Sequence, residues 1–471
     1  MKQLAEYAVG KMKGRVDYGD IRIVDTKYES ITVKNGIIEG VKRTRSYGFG
    51  IRLLKDEGWG FSSSSRIGES EIERVINDAL AIAAASRLPG VKIRLAPVSP
   101  VRDNYQTRYL IDPFEIRIDD KIKFLCRVNS ILSRKWVDIA LTSVSFIREH
   151  KIFASTEGSL IEQLLLASGG SIKVITKSDW DLQVRSYQNS GQAGYEFIER
   201  LDLEGNGERI GEELQMLLKA KPCPAQKTVV ILDQDQMALQ IHESIGHATE
   251  LDRVLGMEAS YAGTSFLKIS DLGRLRYGAE IVNVVADARV KGGIGSFGYD
   301  DEGVRARRVY LIRDGILTGF QSSRETAPLI KRVSSGGMRA DGWNRLPLIR
   351  MTNINLLPGK IPYEEMIAET KDGILMSTNR SWSIDDRRLN FQFGCEIAYR
   401  IQRGKITEVY KNPLYTGITP LFWSKCDAIG DKKSWRLIGI LNCGKGEPGQ
   451  TMRVGHGTAP ARFRDVEIGA G

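Results

Sequence analysis

Residues 241–252 read IHESIGHATELD, and they set two histidines around a glutamate in the order His242-Glu243-x-x-x-His247. Neutral imidazoles are ligands for transition metals. A carboxylate beside one of them is placed to take a proton from a water that the metal activates. In the shorter pattern H-E-x-x-H the two histidines stand four apart and share one face of a helix. Here they stand five apart. An ideal helix turns about 100° per residue, which leaves residues i and i+5 roughly 140° from each other. Both nitrogens cannot then reach one ion. A local widening to i→i+5 hydrogen bonding brings such positions nearer alignment, and Gly246, directly before His247, tolerates a distortion of that kind. The segment is therefore expected to be helical and irregular around Gly246.

A catalytic zinc takes three protein ligands and keeps a position for water. The chain has four histidines, His150, His242, His247 and His456. Two of the four bracketing a glutamate favour a metal over a pair of buried core histidines. Candidates for the third ligand are Cys443, His456, Glu250 and Asp252. Glu250 follows His247 by three residues and suits either a ligand or a partner behind the histidine. Cys443 lies in GILNCGKGEPGQ, where a strand runs into a glycine-rich turn, and His456 lies in VGHGTAP. Residue type and spacing leave both open. The five cysteines, at 126, 223, 395, 426 and 443, form no C-x-x-C pair, which suits a reducing compartment.

The elements that must position these groups can be read around them. Apolar residues on the motif helix fall at Ala238, Ile241, Ile245 and Ala248, with both histidines off that stripe. The short strand TVVILD precedes it, and Asp233 is the expected helix cap. At 471 residues the chain is too long for one core. KPCPAQK (221–227) reads as a linker and sets a boundary near 220. Residues 1–220 form an N-terminal α+β region with a further division near 95–112, and residues 221–471 a β-rich, metal-binding domain.

The N-terminal region opens on a surface helix. Asn35-Gly36 joins two strand-like runs in a tight hairpin. A helix over 69–87 begins with Ser70 and Glu73 as a capping box and stops before Pro89. Further helices are expected over 113–135 and 207–221, with strands from VDIALTSVSFI to DWDLQVRSYQNS between them. In the second half, turns at Asp314-Gly315 and Arg403-Gly404 join antiparallel strands. The fold class is α+β.

Composition narrows the function. A hydrophobic content of 42% and a charged content of 27% are those of a globular protein. The net charge of +10 is scattered among acids, as in DDEGVRARR and SIDDRRLN, so no nucleic-acid partner is expected. No apolar leader opens the chain and no run is long enough to span a membrane, so a cytoplasmic protein is expected. GIGSFG (293–298) matches the dinucleotide pattern G-x-G-x-x-G. The residues after it, YDDEGVRARRVYLI, are acidic and then strand-like. They supply no helix N-terminus for a pyrophosphate, so that reading fails.

The order SYGFGIR, HESIGHATELD, GSFGYDDEG, LIRDGILTGF, LPLIRMTNINLLPG and NCGKGEPGQ resembles the TldD/PmbA-type metallopeptidases over nearly the whole chain. It resembles their metal-bearing kind rather than the paralogue without the motif. The resemblance implies zinc held by His242, His247 and Cys443, with Glu243 as general base. It also implies a dimer, either a homodimer or a heterodimer with the motif-lacking paralogue. GSFGYDDEG and RMTN gain no role from it. The expected activity is zinc-dependent peptide hydrolysis, and because the β-rich half should offer strand edges near the zinc, the expected substrates are short or unfolded peptides bound in extended form. The alternative is a non-catalytic, zinc-holding partner subunit, which would have no need of Glu243.

Overall fold

Asn35 (φ 48°) and Gly36 (φ 78°) adopt the left-handed pair of a tight hairpin turn, whose twist matches that of the strands it joins. A computed structural model describes residues 1–178, 181–261, 263–446 and 449–471. The hairpin sits in a seven-stranded sheet. Its order is Gly58–Ser64, Ile37–Lys55, Tyr18–Lys34, Ile139–Ser155, Leu160–Ser178 and Arg102–Gln106, and Asp181–Gly191 also pairs with Leu160–Ser178. Asp179 and Trp180, at the head of the expected strand 179–190, lie outside the described residues. Gly58–Ser64 meets its neighbour only along Phe49–Lys55. Among the described residues, Ile37–Gly48 is therefore bonded on one side alone, to Tyr18–Lys34.

Helices cover this sheet at two places. Lys2–Met12 and Glu69–Ala85 pack over Ile21, Ile51 and Leu53, while Ile118–Leu132 and Leu203–Lys219 pack over Val144, Ile172 and Val174. One local expectation fails. The helix Glu69–Ala85 has Gly68 at its cap and no side-chain cap bond. Glu73 is instead drawn to the neighbouring helix, where it accepts from Tyr7 Oη at 2.6 Å and pairs with Lys11. A tertiary partner has outcompeted the local one.

The second half is built on strands that close on themselves. Gln226–Leu232, Asp372–Ile384, Asn390–Gln402, Pro413–Ile418 and Ala461–Ala470 pair in a ring, antiparallel except where Asp372–Ile384 meets Gln226–Leu232. Phe391, Phe393, Tyr415, Phe422 and Phe463 are buried and stacked within this half. The hairpin turns at Asp314-Gly315 and Arg403-Gly404 form as expected, with positive φ at all four residues. KPCPAQK is more than a connector. Lys221 and Pro222 pair with Tyr410 and Lys411, and Cys223 is buried. The architecture is the expected α+β class, with a β-rich C-terminal part. Among the described residues no helix is long and apolar enough to cross a membrane.

GSFGYDDEG and RMTN now acquire structural roles. No helix follows GIGSFG. Its acids instead join the seven-stranded sheet to the second half. Asp301 takes Lys151 Nζ at 2.7 Å, and Glu302 takes Arg52 Nη1 at 3.2 Å and the amide of Arg324 at 2.7 Å. In RMTN, Asn353 ties the loop 287–296 together through Asp287 O, Ser296 Oγ and the Gly295 amide.

Candidate metal centre

The motif helix begins as sequence chemistry requires, with the Asp233 carboxylate accepting the Gln236 amide at 2.9 Å. It is α-helical over Gln234–Ile241, π-helical over His242–Gly246 and 3₁₀ over His247–Thr249. The His247 amide donates to His242 O, an i→i+5 bond. This widening brings the two rings to a centroid separation of 4.8 Å, at 86° to each other. The expected irregularity is present. Its reason at Gly246 differs from the expectation, because φ −55° and ψ −65° are open to any residue. A Cβ there would lie 2.1 Å from Met351 Sδ. Close packing, rather than backbone freedom, requires the glycine.

A buried polar row fixes the rotation of this helix. Gln236 and Gln240 meet Tyr415 Oη at 3.0 and 2.9 Å, and Ser244 accepts from Trp423 Nε1 at 2.9 Å. His242, Glu243 and His247 are left to face elsewhere. They meet the hairpin of Arg436–Lys445 and Gln450–Thr458, whose register slips between Ile440 and Cys443. Arg350, from RMTN, donates to Cys443 O at 2.5 Å and holds the bulged strand in place. Glu447 and Pro448, in the glycine-rich turn beyond, lie outside the described residues.

His242, His247 and Cys443 come together, buried, with their ligand atoms within 4.8 Å of one another. Cys443 Sγ is 3.4 Å from His242 Nε2 and 3.5 Å from His247 Nε2. The other candidates stand behind or beside them. His456 Nδ1 is 3.3 Å from Ile354 O, which can only accept, so His456 Nε2 is left as an acceptor. It lies 2.8 Å from His242 Nδ1, which must then carry the proton. The Nε2 lone pair of His242 is thereby free toward Cys443. Glu250 Oε2 does the same for His247, accepting from Nδ1 at 2.8 Å. Asp252 is occupied by Lys445 Nζ at 2.8 and 2.9 Å.

The electrostatics favour neutral donors. Burial pushes His242 and His247 well below the usual imidazole range, and nearby cations push His247 further. Burial pushes the Cys443 thiol up to about 11, against the pull of Arg350 and Lys445. Burial also raises the Glu243 carboxyl, opposed first by Arg388. Arg388 Nη1 donates to Glu243 Oε2 at 2.7 Å from the tip of the Asp372–Ile384/Asn390–Gln402 hairpin. Two imidazole nitrogens and a thiol sulfur, converging at 3.4 and 3.5 Å, suit a transition metal that displaces the thiol proton rather than magnesium or calcium, which take oxygen ligands. The group is a candidate metal site.

Sequence reasoning missed Arg388, Arg350 and Met351. In SIDDRRLN nothing separates Arg388 from Arg387, since only the distant hairpin pairing aims one of them at Glu243. For Arg350 and Met351 the signal was RMTN itself, whose role could not be deduced without its contacts.

Residues 225–470 match the PmbA/TldA metallopeptidase C-terminal domain, and residues 19–83 match PmbA/TldA metallopeptidase domain 1. A metalloprotease of Methanocaldococcus jannaschii is 34% identical over 446 residues, covering 94% of each chain. A zinc metalloprotease TldD homolog of Saccharolobus solfataricus is 24% identical over 461 residues, 94% of this chain and 96% of its own. Among solved structures, TldE from Thermococcus kodakarensis shares the fold, with a TM-score of 0.78 at 17% identity over the whole of both chains.

Proposed function

This chain belongs to the PmbA/TldD family of metallopeptidases, and from that premise we propose that it hydrolyses peptides with zinc held by His242, His247 and Cys443 and with Glu243 as general base. The observation that carries the reading is the meeting of two imidazoles and one thiol beside a buried carboxylate. The relative from Saccharolobus solfataricus, named for zinc, supports the choice of metal.

Zinc held by two imidazoles and one thiolate would carry a net charge of +1 and would supply a Lewis acid for a carbonyl and for water. The chain's own groups do the rest. Cys443 must give up its proton when it binds, so metal uptake releases a proton and weakens as pH falls. His456 and Glu250 hold the two imidazoles in the tautomer that offers Nε2. Arg388 opposes the burial that raises the Glu243 carboxyl and aims one of its oxygens. Glu243 accepts a proton from the attacking water and delivers it to the leaving amine.

The substrate is an extended peptide, short or unfolded, bound through its main chain. A folded protein has those groups paired internally and is spared. A groove of about 330 Å³ supports this reading. It is lined by Gly170, Ser190, Gly439 and Asn442 and runs up to the strand that carries Cys443. The active form is a dimer, with itself or with a motif-lacking paralogue, and the likeness to TldE supports the second. The five unpaired cysteines support a reducing, cytoplasmic setting. The division of the chain near residue 220 remains our reading of its domains.

Metal analysis with a peptide-cleavage assay tests the proposal. One zinc per chain is expected, lost in His247→Ala and Cys443→Ala. Full occupancy in Cys443→Ala would remove the cysteine from the site. Zinc without cleavage of any unfolded peptide, alone or with the paralogue, would favour a subunit that only holds the metal.

A further inference from the structure

Far along the chain from the metal ligands, the strand Arg308–Arg313 and the segment 330–335 flank a groove of about 500 Å³. Arg307, Arg308, Arg313 and Arg332 line it, and no acidic side chain does. Among the described residues, no ion pair engages any of the four. This is unusual within the molecule. A groove of similar size, about 520 Å³ on the N-terminal sheet, is also charged, but its charges cancel. There Asp25 meets Arg45, Arg148 meets Asp112 and His150 meets Glu162, at 2.7, 2.6 and 2.8 Å.

The cationic groove is also organised. Two of its guanidinium groups approach the Tyr310 ring, with Arg313 Cζ 4.0 Å and Arg308 Cζ 5.3 Å from the ring centroid. A cation–π contact holds a guanidinium without using its N–H donors. Arg307 Nε and Thr318 Oγ1 are buried without a hydrogen-bond partner. Like charges gathered in one groove repel, and a ligand with several negative charges relieves that repulsion.

We propose that this groove binds a small ligand carrying two or more phosphate groups. Guanidinium forks match phosphate oxygens in pairs, and four arginines in one groove call for a ligand with more anionic oxygens than a single carboxylate offers. The groove has the size of a small-molecule site, and its arginines form a pocket rather than the long stripe that a nucleic-acid strand follows. Inorganic polyphosphate and a nucleotide share this chemistry. The proposal is independent of the peptidase reading, since none of these residues touches the metal centre.

Calorimetric titration of the full chain with inorganic tripolyphosphate, ATP and adenosine tests it. We expect saturable 1:1 binding of tripolyphosphate, no binding of adenosine, and at least about tenfold weaker binding in Arg308→Ala/Arg313→Ala. ATP binding as tightly as tripolyphosphate would support recognition of phosphate alone, and tighter binding would support a nucleotide. Arg102→Ala/Arg127→Ala removes the same charge from paired, exposed positions and should leave tripolyphosphate binding unchanged. Loss in the groove variant separates the groove from phosphate captured by the metal, which that variant leaves in place. Failure of the unaltered protein to bind either probe, undiminished binding in the groove variant, or equal weakening in the control variant would overturn the proposal. So would tighter, groove-dependent binding of duplex DNA.

Discussion

Two of the buried clusters of ionisable side chains in this molecule are opposites. At the junction between the N-terminal sheet and the second half, unlike charges face one another. Arg52 reaches Asp20 and Glu302, Lys151 reaches Asp301 and Glu149, and Arg453 reaches Glu149. Burial alone would raise Glu149, but Lys151 and Arg453 outweigh it and hold the carboxyl down at about 2. Asp301 is lowered in the same way. Asp300 is the exception, pushed up to about 8 by burial and by its neighbour Glu302. At the metal centre the groups are driven toward their neutral forms, with imidazoles lowered and the thiol and Glu243 raised. Residue types overlap between the clusters. What differs is whether a charge meets its complement or neutral donor atoms gather in one buried place. The first arrangement holds two parts together, and the second is the candidate metal site.

The sharpest way to break this contrast is Glu243→Gln. The variant should keep its zinc and its fold while losing about 10²–10⁴-fold in peptide cleavage, the weight of a general base. Near-normal turnover would transfer the base role to another acid, with Glu250 the first to examine. At the junction the matching experiment is Lys151→Met. Removing the cation that buried Asp301 and Glu149 share, and leaving them Arg22 and Arg453 alone, should cost up to about 3–5 kcal/mol in urea unfolding, with zinc content unchanged. Loss of zinc together with stability would mean that the clusters are not separate.

Acid should expose the junction in its own way. The folded value of Glu149 lies below the ordinary 4.5, so below that pH the unfolded chain binds more protons than the folded one. Stability present above pH 4.5 is lost as pH falls toward 2, and the urea midpoint should fall with it. In Lys151→Met that slope should flatten. A smaller effect is expected from His456→Ala, which removes the partner behind His242. Zinc affinity, measured by competition with a chelator, should weaken about 10–100-fold. Complete loss of zinc would make His456 more than a support. The smallest effect belongs to an exposed pair. Arg45→Ala breaks the contact with Asp25, and because Arg45 is 59% exposed the cost should stay within about 1 kcal/mol.

What the sequence disclosed was mostly local. The five-residue spacing of His242 and His247 fixes an angle, and that angle demands a π-turn. Asn35-Gly36, Asp314-Gly315 and Arg403-Gly404 dictate turns through their own φ angles. Local reasoning failed where a distant group competed, as when Tyr7 and Lys11 took Glu73 from its helix end. It was silent where pairing spans hundreds of residues. Gln226–Leu232 lies against Ala461–Ala470, which closes the ring of strands and brings the Cys443 hairpin to the motif helix. Residue types alone named Cys443, His456, Glu250 and Asp252 as third ligands and left Cys443 and His456 open. Their separation is a matter of which atom of each faces inward.

Ile37–Gly48, bonded along one side only, bears on how this protein behaves in a concentrated solution. A row of unpaired amides and carbonyls is a template on which a second chain can add a strand, and Ile37 and Ile38 are 73% and 47% exposed there. The same stretch carries Lys42, Arg43 and Arg45. Two copies laid edge to edge would bring those cations together, and the repulsion would oppose fibril growth. Solubility is thus vested in a few basic side chains on one strand, where uncharged residues would leave the folded state intact and the solution prone to aggregate.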